Sequence, residues 1–384
     1  MNPVFAATGT SIFAVMSDLA VRHSAVNLGQ GFPDFGWPED VLQAAADAVV
    51  HGSNQYAPMR GIPALREAVA AHYAHHQGLD LSPEQVTVTS GATEALAAAI
   101  FSLVSPGDEV LMFQPLYDSY VPIVRAAGGV PRFVSLQPPE WRITEEALAA
   151  AFGPKTRLVI FNNPHNPSSR LFDEEELALL ARHVIANDAI VIADEVWEHL
   201  VFDGRAFRPI SSLPGMAERT VKIASAGKIF SVTGWKVGWS IAPPRLAGAF
   251  AGAHQFLTFA TAPNLQAAVA YGLGKDDDYF DGMRAAFAVA RDRMVDGLNA
   301  AGFATLPAEG TYFVGIDLAA SGIAIDDRSF CERAVKECGV AGIPVSAFYA
   351  EEPATNVVRL CFAKRDETIA AGIAGLEKAR RLFA

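Results

Sequence analysis

Ser225, Lys228 and Lys236 sit in one stretch, Ser225-Ala226-Gly227-Lys228-Ile229-Phe230-Ser231-Val232-Thr233-Gly234-Trp235-Lys236. It follows a mostly apolar run, Val221 to Ala224, that reads as a buried strand. A lysine just past such a strand, among glycines and small residues, is partly desolvated, and loss of water favours the neutral amine. The neutral amine is the form that makes a Schiff base with a carbonyl. The chemistry expected here is attachment of a phosphorylated carbonyl cofactor at Lys228, with Ser225 and Lys236 reaching the phosphate. Taken alone, the stretch also fits a surface lysine beside a glycine-rich turn. A nucleoside-triphosphate loop is excluded, because Ile229 follows Lys228 where Ser or Thr is required and Lys222 stands in place of a glycine.

Other chemistry-bearing residues fall at the ends of apolar runs. Leu158 to Phe161 reads as a strand leading into Asn162-Asn163-Pro164-His165-Asn166-Pro167, whose prolines hold Asn166 at the strand's exit. Ala189 to Ala193 is fully apolar and ends in Asp194, a charge that needs a cation or donor if buried. Three strands thus exit into Asn166, Asp194 and Lys228, and ligands of open α/β sheets bind outside the carboxyl ends of the strands. Gln85 to Thr89 forms a further strand, then Ser90-Gly91-Ala92-Thr93 opens a helix whose free N–H groups suit an anion or merely a tight turn. Tyr117 either lies flat on an aromatic cofactor or packs. Arg359, mid-strand between Val358 and Leu360, wants a carboxylate that is either a ligand's or a distant side chain's. Gly29 and Gly31 lack the third glycine of a dinucleotide fingerprint, and Pro33 blocks the following helix, leaving a loop that a substrate can approach closely.

Helical spacing covers Ile12 to His23, Glu39 to Val50, Pro63 to Gln77, Met283 to Ala300, Ser329 to Glu337 and Glu367 to Leu382. Strands at Tyr312 to Ile316 and Val357 to Phe362 alternate with the last helices, as in a smaller α+β domain. His72, His75 and His76 share a helix without a carboxylate at ligand spacing and read as a solvated face, with no metal expected. Asp173 to Glu176 suit a helix cap and first turn, and Asp276 to Asp278 read as a solvated loop. The chain's 384 residues leave room for two or three domains' worth of core. A net charge of −12 argues against nucleic acid or an anionic membrane as partner, so a phosphate site must be built locally. Cys331, Cys338 and Cys361 form no ligand pattern and read as free thiols of a reducing compartment. The first twenty residues lack a basic leader and no apolar stretch is read as long enough to span a membrane, which makes the cytoplasm the expected location.

Together, a Schiff-base lysine, an aspartate 34 residues before it, an asparagine, a phosphate-type helix start and a carboxylate-seeking arginine match the needs of pyridoxal 5'-phosphate. The aspartate keeps the ring nitrogen protonated, the asparagine bonds the phenolic oxygen, and the lysine shuttles the α-proton. The arginine orients an amino acid's carboxylate.

The chain resembles class I/II pyridoxal-phosphate aminotransferases of fold type I, nearest the branch of methionine, kynurenine and glutamine aminotransferases. The resemblance rests on motifs spread over nearly the whole length. They include Gly29-Gln30-Gly31-Phe32-Pro33, Asn54-Gln55-Tyr56-Ala57-Pro58, Gly91-Ala92-Thr93-Glu94-Ala95, Tyr117-Asp118-Ser119-Tyr120 and Pro164-His165-Asn166-Pro167. Asp194-Glu195-Val196, Thr233-Gly234-Trp235-Lys236, Gly310-Thr311-Tyr312-Phe313 and Arg359-Leu360-Cys361-Phe362 continue it. It implies an α/β fold with a large, mostly parallel-sheet cofactor domain over residues 38–272 and a smaller α+β domain from 1–37 and 273–384. Lys228 and Asp194 would be catalytic. Ala92, Thr93, Ser225 and Lys236 would hold the phosphate, Tyr117 would stack on the ring and Asn166 would contact its oxygen. Arg359, Asn166 and the Gly31 backbone would bind the substrate carboxylate. Tyr56 would cross to the other subunit's phosphate in a homodimer. One position departs from the family: Trp197 replaces a tyrosine whose hydroxyl reaches the phenolic oxygen, and an indole can only donate. The implied reaction is amino transfer from an L-amino acid of methionine, glutamine or aromatic type to a 2-oxo acid, with Phe32, Trp37, Phe259 and Phe348 as candidate pocket walls. The alternative is a carbon–sulfur β-lyase acting on cysteine conjugates. A cofactor-binding DNA regulator is excluded by the lack of spare length and basic charge.

Overall fold

Apolar strand runs of period two, buried on both faces, build the centre of the molecule. The structure, a computed structural model, describes all residues from Met1 to Ala384. Its main sheet has seven strands: β1 (Val86–Ser90), β2 (Glu109–Gln114), β3 (Val130–Ser135), β4 (Thr156–Asn162), β5 (Ile190–Asp194), β6 (Thr220–Ser225) and β7 (Val237–Ile241). The spatial order is β1-β7-β6-β5-β4-β2-β3. Only β7 runs antiparallel to its neighbours, so β1, β4, β5 and β6 all end at one edge.

Alternation along the strands divides the core. Leu158 and Ile160 of β4 join Val110, Met112, Ile192, Val221 and Ile223 on one face. Val159 and Phe161 join Leu111, Phe113, Val191 and Ala193 on the other. A sheet buried on both sides needs apolar residues at successive positions, which is why these strands read as continuous apolar runs. Each fully buried side chain of this kind contributes about 1.5–3 kcal/mol.

A second sheet of four short strands, in the order Ile343–Pro344, Val357–Cys361, Phe313–Asp317, Ala304–Thr305, is antiparallel throughout. The helix Asp366–Phe383 packs beside the long helix Asp277–Ala300. A parallel pair, Val26–Asn27 with Val340–Ala341, ties the N-terminal segment to the C-terminal third.

Three sequence readings are corrected. Asp276 to Asp278 are not a solvated loop: Asp276 caps the helix Asp277–Ala300, its carboxylate accepting from the Tyr279 N–H. His72 is not on a solvated face but buried, its Nε2 lying 2.8 Å from Nε2 of His199. The carboxylate missing from the local sequence arrives through the fold, since Asp277 lies 2.8 Å from His75 and 3.8 Å from His76. Finally, Pro3–Arg22 does reach the length and apolarity of a membrane span, with a mean hydropathy of 1.6. It folds as two helices, Pro3–Ala7 and Ile12–Arg22, the second capped by Ser11.

Candidate active site

The shared edge of β1, β4, β5 and β6 opens onto a cavity of about 190 Å³. Ala92, Thr93, Tyr117, Asn166, Asp194, Trp197, Ser225, Lys228 and Lys236 all line it. Registry explains the convergence. Asn162 pairs with Asp194 in the ladder, and Ser225 pairs with Gly238, so the strand ends stand level. Asn162 then spans two segments, donating to the Asp194 carbonyl at 2.7 Å and accepting from the Asn166 N–H at 2.7 Å.

One end of the cavity is built for an anion. No side chain caps the helix Gly91–Leu103, so its first N–H groups face the opening. Gly91 has φ +72°, and a Cβ there would sit 3.1 Å from Lys236 Nζ. Glycine therefore lets the lysine amine close over the helix start. Lys236 is itself left-handed, with φ +53°, which turns its side chain back toward this turn.

The other end presents a buried acid. Asp194 Oδ2 accepts from the Tyr120 hydroxyl at 2.5 Å, while Oδ1 is buried without a partner. Burial pushes the Asp194 carboxyl above its ordinary range, and the Tyr120 bond opposes that only in part. An orphaned carboxylate oxygen aimed into a cavity that holds an anion cradle fits the protonated ring nitrogen of pyridoxal phosphate. The residues present thus fit the cofactor at both ends.

Between these ends lies Lys228. Burial lowers its amine to about 8, with Arg359 and Lys236 acting the same way and Asp194 opposing. Nζ donates to the Tyr312 hydroxyl at 2.9 Å and sits 4.6 Å from the Trp197 ring. The uptake of cofactor by the apoenzyme should therefore accelerate as pH rises and level off above about 8, because the neutral amine is the reacting form. Stopped-flow absorbance across a pH series checks this; a pH-independent rate would contradict it.

The segment after Asp194 is fixed by charges in the core. Lys222 of β6 forms ion pairs with Glu195 and, at 2.6 Å, with Glu198. Tyr73 donates to Glu198 at 2.5 Å, and Gln77 donates to its other oxygen at 2.6 Å. A lysine between two carboxylates keeps its charge despite full burial. This network holds the turn that carries Asp194 at one side and Trp197 at the other.

Arg359 lies outside the cavity lining, on the strand Val357–Cys361. Its Nη1 donates to Asn166 Oδ1 at 2.7 Å and its Nη2 to the Gly29 carbonyl at 3.1 Å, while Nε is buried and unpaired. No carboxylate forms an ion pair with it, so the structural salt bridge considered from sequence is absent; the half-buried Asp118 acts only at longer range. Burial lowers the guanidinium to about 10, a cost that an arriving carboxylate would offset. Phe313 lies 3.8 Å beneath it, with Phe13 and Phe348 each at 5.2 Å. Of the expected pocket residues only Phe348 reaches this cluster; Phe32, Trp37 and Phe259 are exposed. Gly31 meets Lys228 through its carbonyl at 3.5 Å. Tyr56 is 88% exposed and remains outside the cavity, edge-on to Phe259. The site also brings in Tyr120, Asn162 and Tyr312, whose only sequence signal is that they lie in or beside the family motifs.

Solved structures share this fold over the full length. A methionine aminotransferase from Escherichia coli superposes with a TM-score of 0.95 at 40% identity, covering 98% of this chain and 99% of its own. An N-succinyldiaminopimelate aminotransferase from Mycobacterium tuberculosis gives 0.95 at 43%, covering 99% and 100%. Among sequence relatives, a kynurenine–oxoglutarate transaminase from Dictyostelium discoideum is 38% identical, over 94% of this chain and 92% of its own length. The protein is a pyridoxal-phosphate-dependent enzyme of fold type I. More closely, residues 23–376 match the family described as "Aminotransferase class I and II", and the chain belongs to that family as a transaminase.

Proposed function

We propose that the amino donor is an L-amino acid with a methionine, glutamine or aromatic side chain, and that the acceptor is a 2-oxo acid. The carrying observation is Arg359: a buried guanidinium without an ion pair, walled by Phe13, Phe313 and Phe348. Such a site takes a carboxylate and sets aromatic walls beside it, which suit an apolar or aromatic side chain better than a second charge. Relatives named for methionine and for kynurenine support a donor of this kind.

When bound, pyridoxal phosphate supplies an electron sink that stabilises negative charge at the substrate's α-carbon. Asp194 Oδ1 would hold the proton on the ring nitrogen. Lys228 Nζ would attach the cofactor and move the proton at the substrate's α-carbon. Asn166 would contact the ring oxygen and, with Arg359 and the Gly31 backbone, orient the carboxylate. The Ala92 and Thr93 amides, Ser225 and Lys236 would hold the phosphate, and Tyr117 would cover the ring. Residues 38–272 form the cofactor domain, and residues 1–37 with 273–384 the smaller one.

A homodimer completes the site in this reading, with Tyr56 reaching the partner's phosphate. Supporting it, Tyr56, Phe256, Leu257 and Phe259 are all large, apolar and exposed. The proposed compartment is the cytoplasm, in keeping with three free thiols.

A panel of amino acids mixed with the holoenzyme tests the assignment through the cofactor's absorbance. Methionine, glutamine or an aromatic amino acid should change the spectrum, and a 2-oxo acid should restore it. Silence toward all of them would overturn the reading. Pyruvate released from a cysteine conjugate without an acceptor would instead mark β-elimination.

A further inference from the structure

Lys228 needs a partner whenever its amine is not bonded to the cofactor. A buried amine left without an acceptor loses its solvation and wanders among rotamers, and proton transfer requires it at one place. In this family a tyrosine at position 197 would bring a hydroxyl close by. Trp197 brings an indole, whose one N–H cannot accept from an ammonium; it offers the amine only its ring face, 4.6 Å away.

We propose that Tyr312 is the positioning residue for the Lys228 amine: its hydroxyl oxygen is the site where the free amine rests between proton transfers. Lys228 Nζ lies 2.9 Å from Tyr312 Oη, and Oη donates in turn to the Gly31 carbonyl. With its single proton committed to that carbonyl, the phenol can only accept from the lysine. No other side-chain hydroxyl bonds the amine.

The phenol is held rigidly. Tyr312 is fully buried, edge-on to Trp197 at 4.4 Å and to Phe313 at 5.0 Å. Its carbonyl accepts from the Phe362 N–H at 3.0 Å, which fixes the backbone that presents the ring. The indole therefore buttresses the tyrosine that supplies the oxygen it lacks. The Gly31 backbone also approaches within the reach of Phe313: a Cβ there would sit 2.9 Å from the Phe313 ring. Lys228 and Arg359 are thereby tied to one short segment, the first through Gly31 and the second through the Gly29 carbonyl. The charged or titratable groups facing the amine are Asp194, Arg359, Lys236 and Cys361.

The inference rests on the transaminase reading for its purpose, yet its test does not need substrate. Tyr312→Phe keeps the ring and removes only the acceptor. Loss of a hydrogen bond to the charged form lowers an amine's pKa, by about one unit for a bond to an ion. In the apoenzyme, labelling of Lys228 by trinitrobenzenesulfonate, followed across pH by peptide mass spectrometry, should shift its midpoint downward by about that amount in Tyr312→Phe. With cofactor loaded, the half-reaction with an α-deuterated amino acid should slow by roughly 10- to 100-fold at little change in KM. Adding Trp197→Tyr to Tyr312→Phe should recover most of the loss, because a phenol returns near the amine from the other side. An unmoved labelling midpoint overturns the proposal even if turnover falls, since the tyrosine would then act through packing alone. If no amino acid alters the cofactor's spectrum, the transaminase reading fails while the labelling result still decides this one.

Discussion

Lys228→Ala is expected to cut transamination by on the order of 10⁴-fold, the full range of a positioned acid–base group. The amine is the only lysine nitrogen lining the cavity apart from Lys236, which is turned toward the anion end beside Gly91. Nothing nearby replaces it. Tyr312 has its proton on the Gly31 carbonyl and its pKa is driven far above the ordinary phenol range by burial, so it cannot stand in as a base. Asp194 lies at the far end with its Oδ2 already bonded to Tyr120. Cofactor should still enter the variant, held by the amides of the helix Gly91–Leu103, Lys236 and Asp194, but without covalent attachment. Borohydride would then fix no cofactor to the chain, and added small amines should partly restore turnover. Activity within tenfold of the wild type would remove Lys228 from the chemistry.

How much of this was legible beforehand depended on distance along the chain. The three strands leading to Asn166, Asp194 and Lys228 announce themselves because a sheet buried on both faces must be apolar at every position. The helix starting at Gly91 and the cap at Asp173, with its reciprocal bonds to Glu176, follow from local chemistry that sequence displays directly. Tertiary pairings do not. Tyr120 meets Asp194 across 74 residues, and Tyr312 meets Lys228 across 84. Neither partner's periodicity differs from that of a packed aromatic. The same holds for His72, which looks like one of three histidines on a wet helix until His199 arrives from 127 residues away to bury it. The reading of Asp276 to Asp278 as a loop fails for a related reason. A run of acids suits a loop and a helix N-terminus equally, and what decides is the Tyr279 N–H that Asp276 accepts from. The strand Val237–Ile241 is short and carries Gly238 and Ser240, so its apolar alternation is masked by the motif around Lys236.

Asp194→Asn should separate catalysis from stability in opposite directions. The carboxylate is buried, its Oδ2 is bonded to Tyr120, and its Oδ1 has no partner within the chain. That orphaned oxygen is a standing cost to the apoprotein, visible in the raised carboxyl pKa whose first cause is burial. Asparagine has the same shape without the charge. The apoenzyme's Tm is therefore expected to rise, by about 1 °C if roughly 1 kcal/mol of desolvation is relieved, because the unfolding entropy scales with all 384 residues. With cofactor the balance reverses. The negative oxygen that destabilises the empty pocket would, in the proposed function, hold a proton on the ring nitrogen, and an amide cannot do so. Removing one preorganised electrostatic partner of this kind costs on the order of 10²–10³ in kcat. Tyr120→Phe gives the control, because it leaves the charge in place and removes one donor from it; its effect on kcat should be the smaller of the two. Calorimetry of the apo forms and single-turnover kinetics of the loaded forms measure both arms. A variant that melts lower and turns over normally would mean that Asp194 serves the fold and not the cofactor. A variant that melts higher and turns over poorly would locate the strain of this pocket at the one oxygen that needs the cofactor to be satisfied.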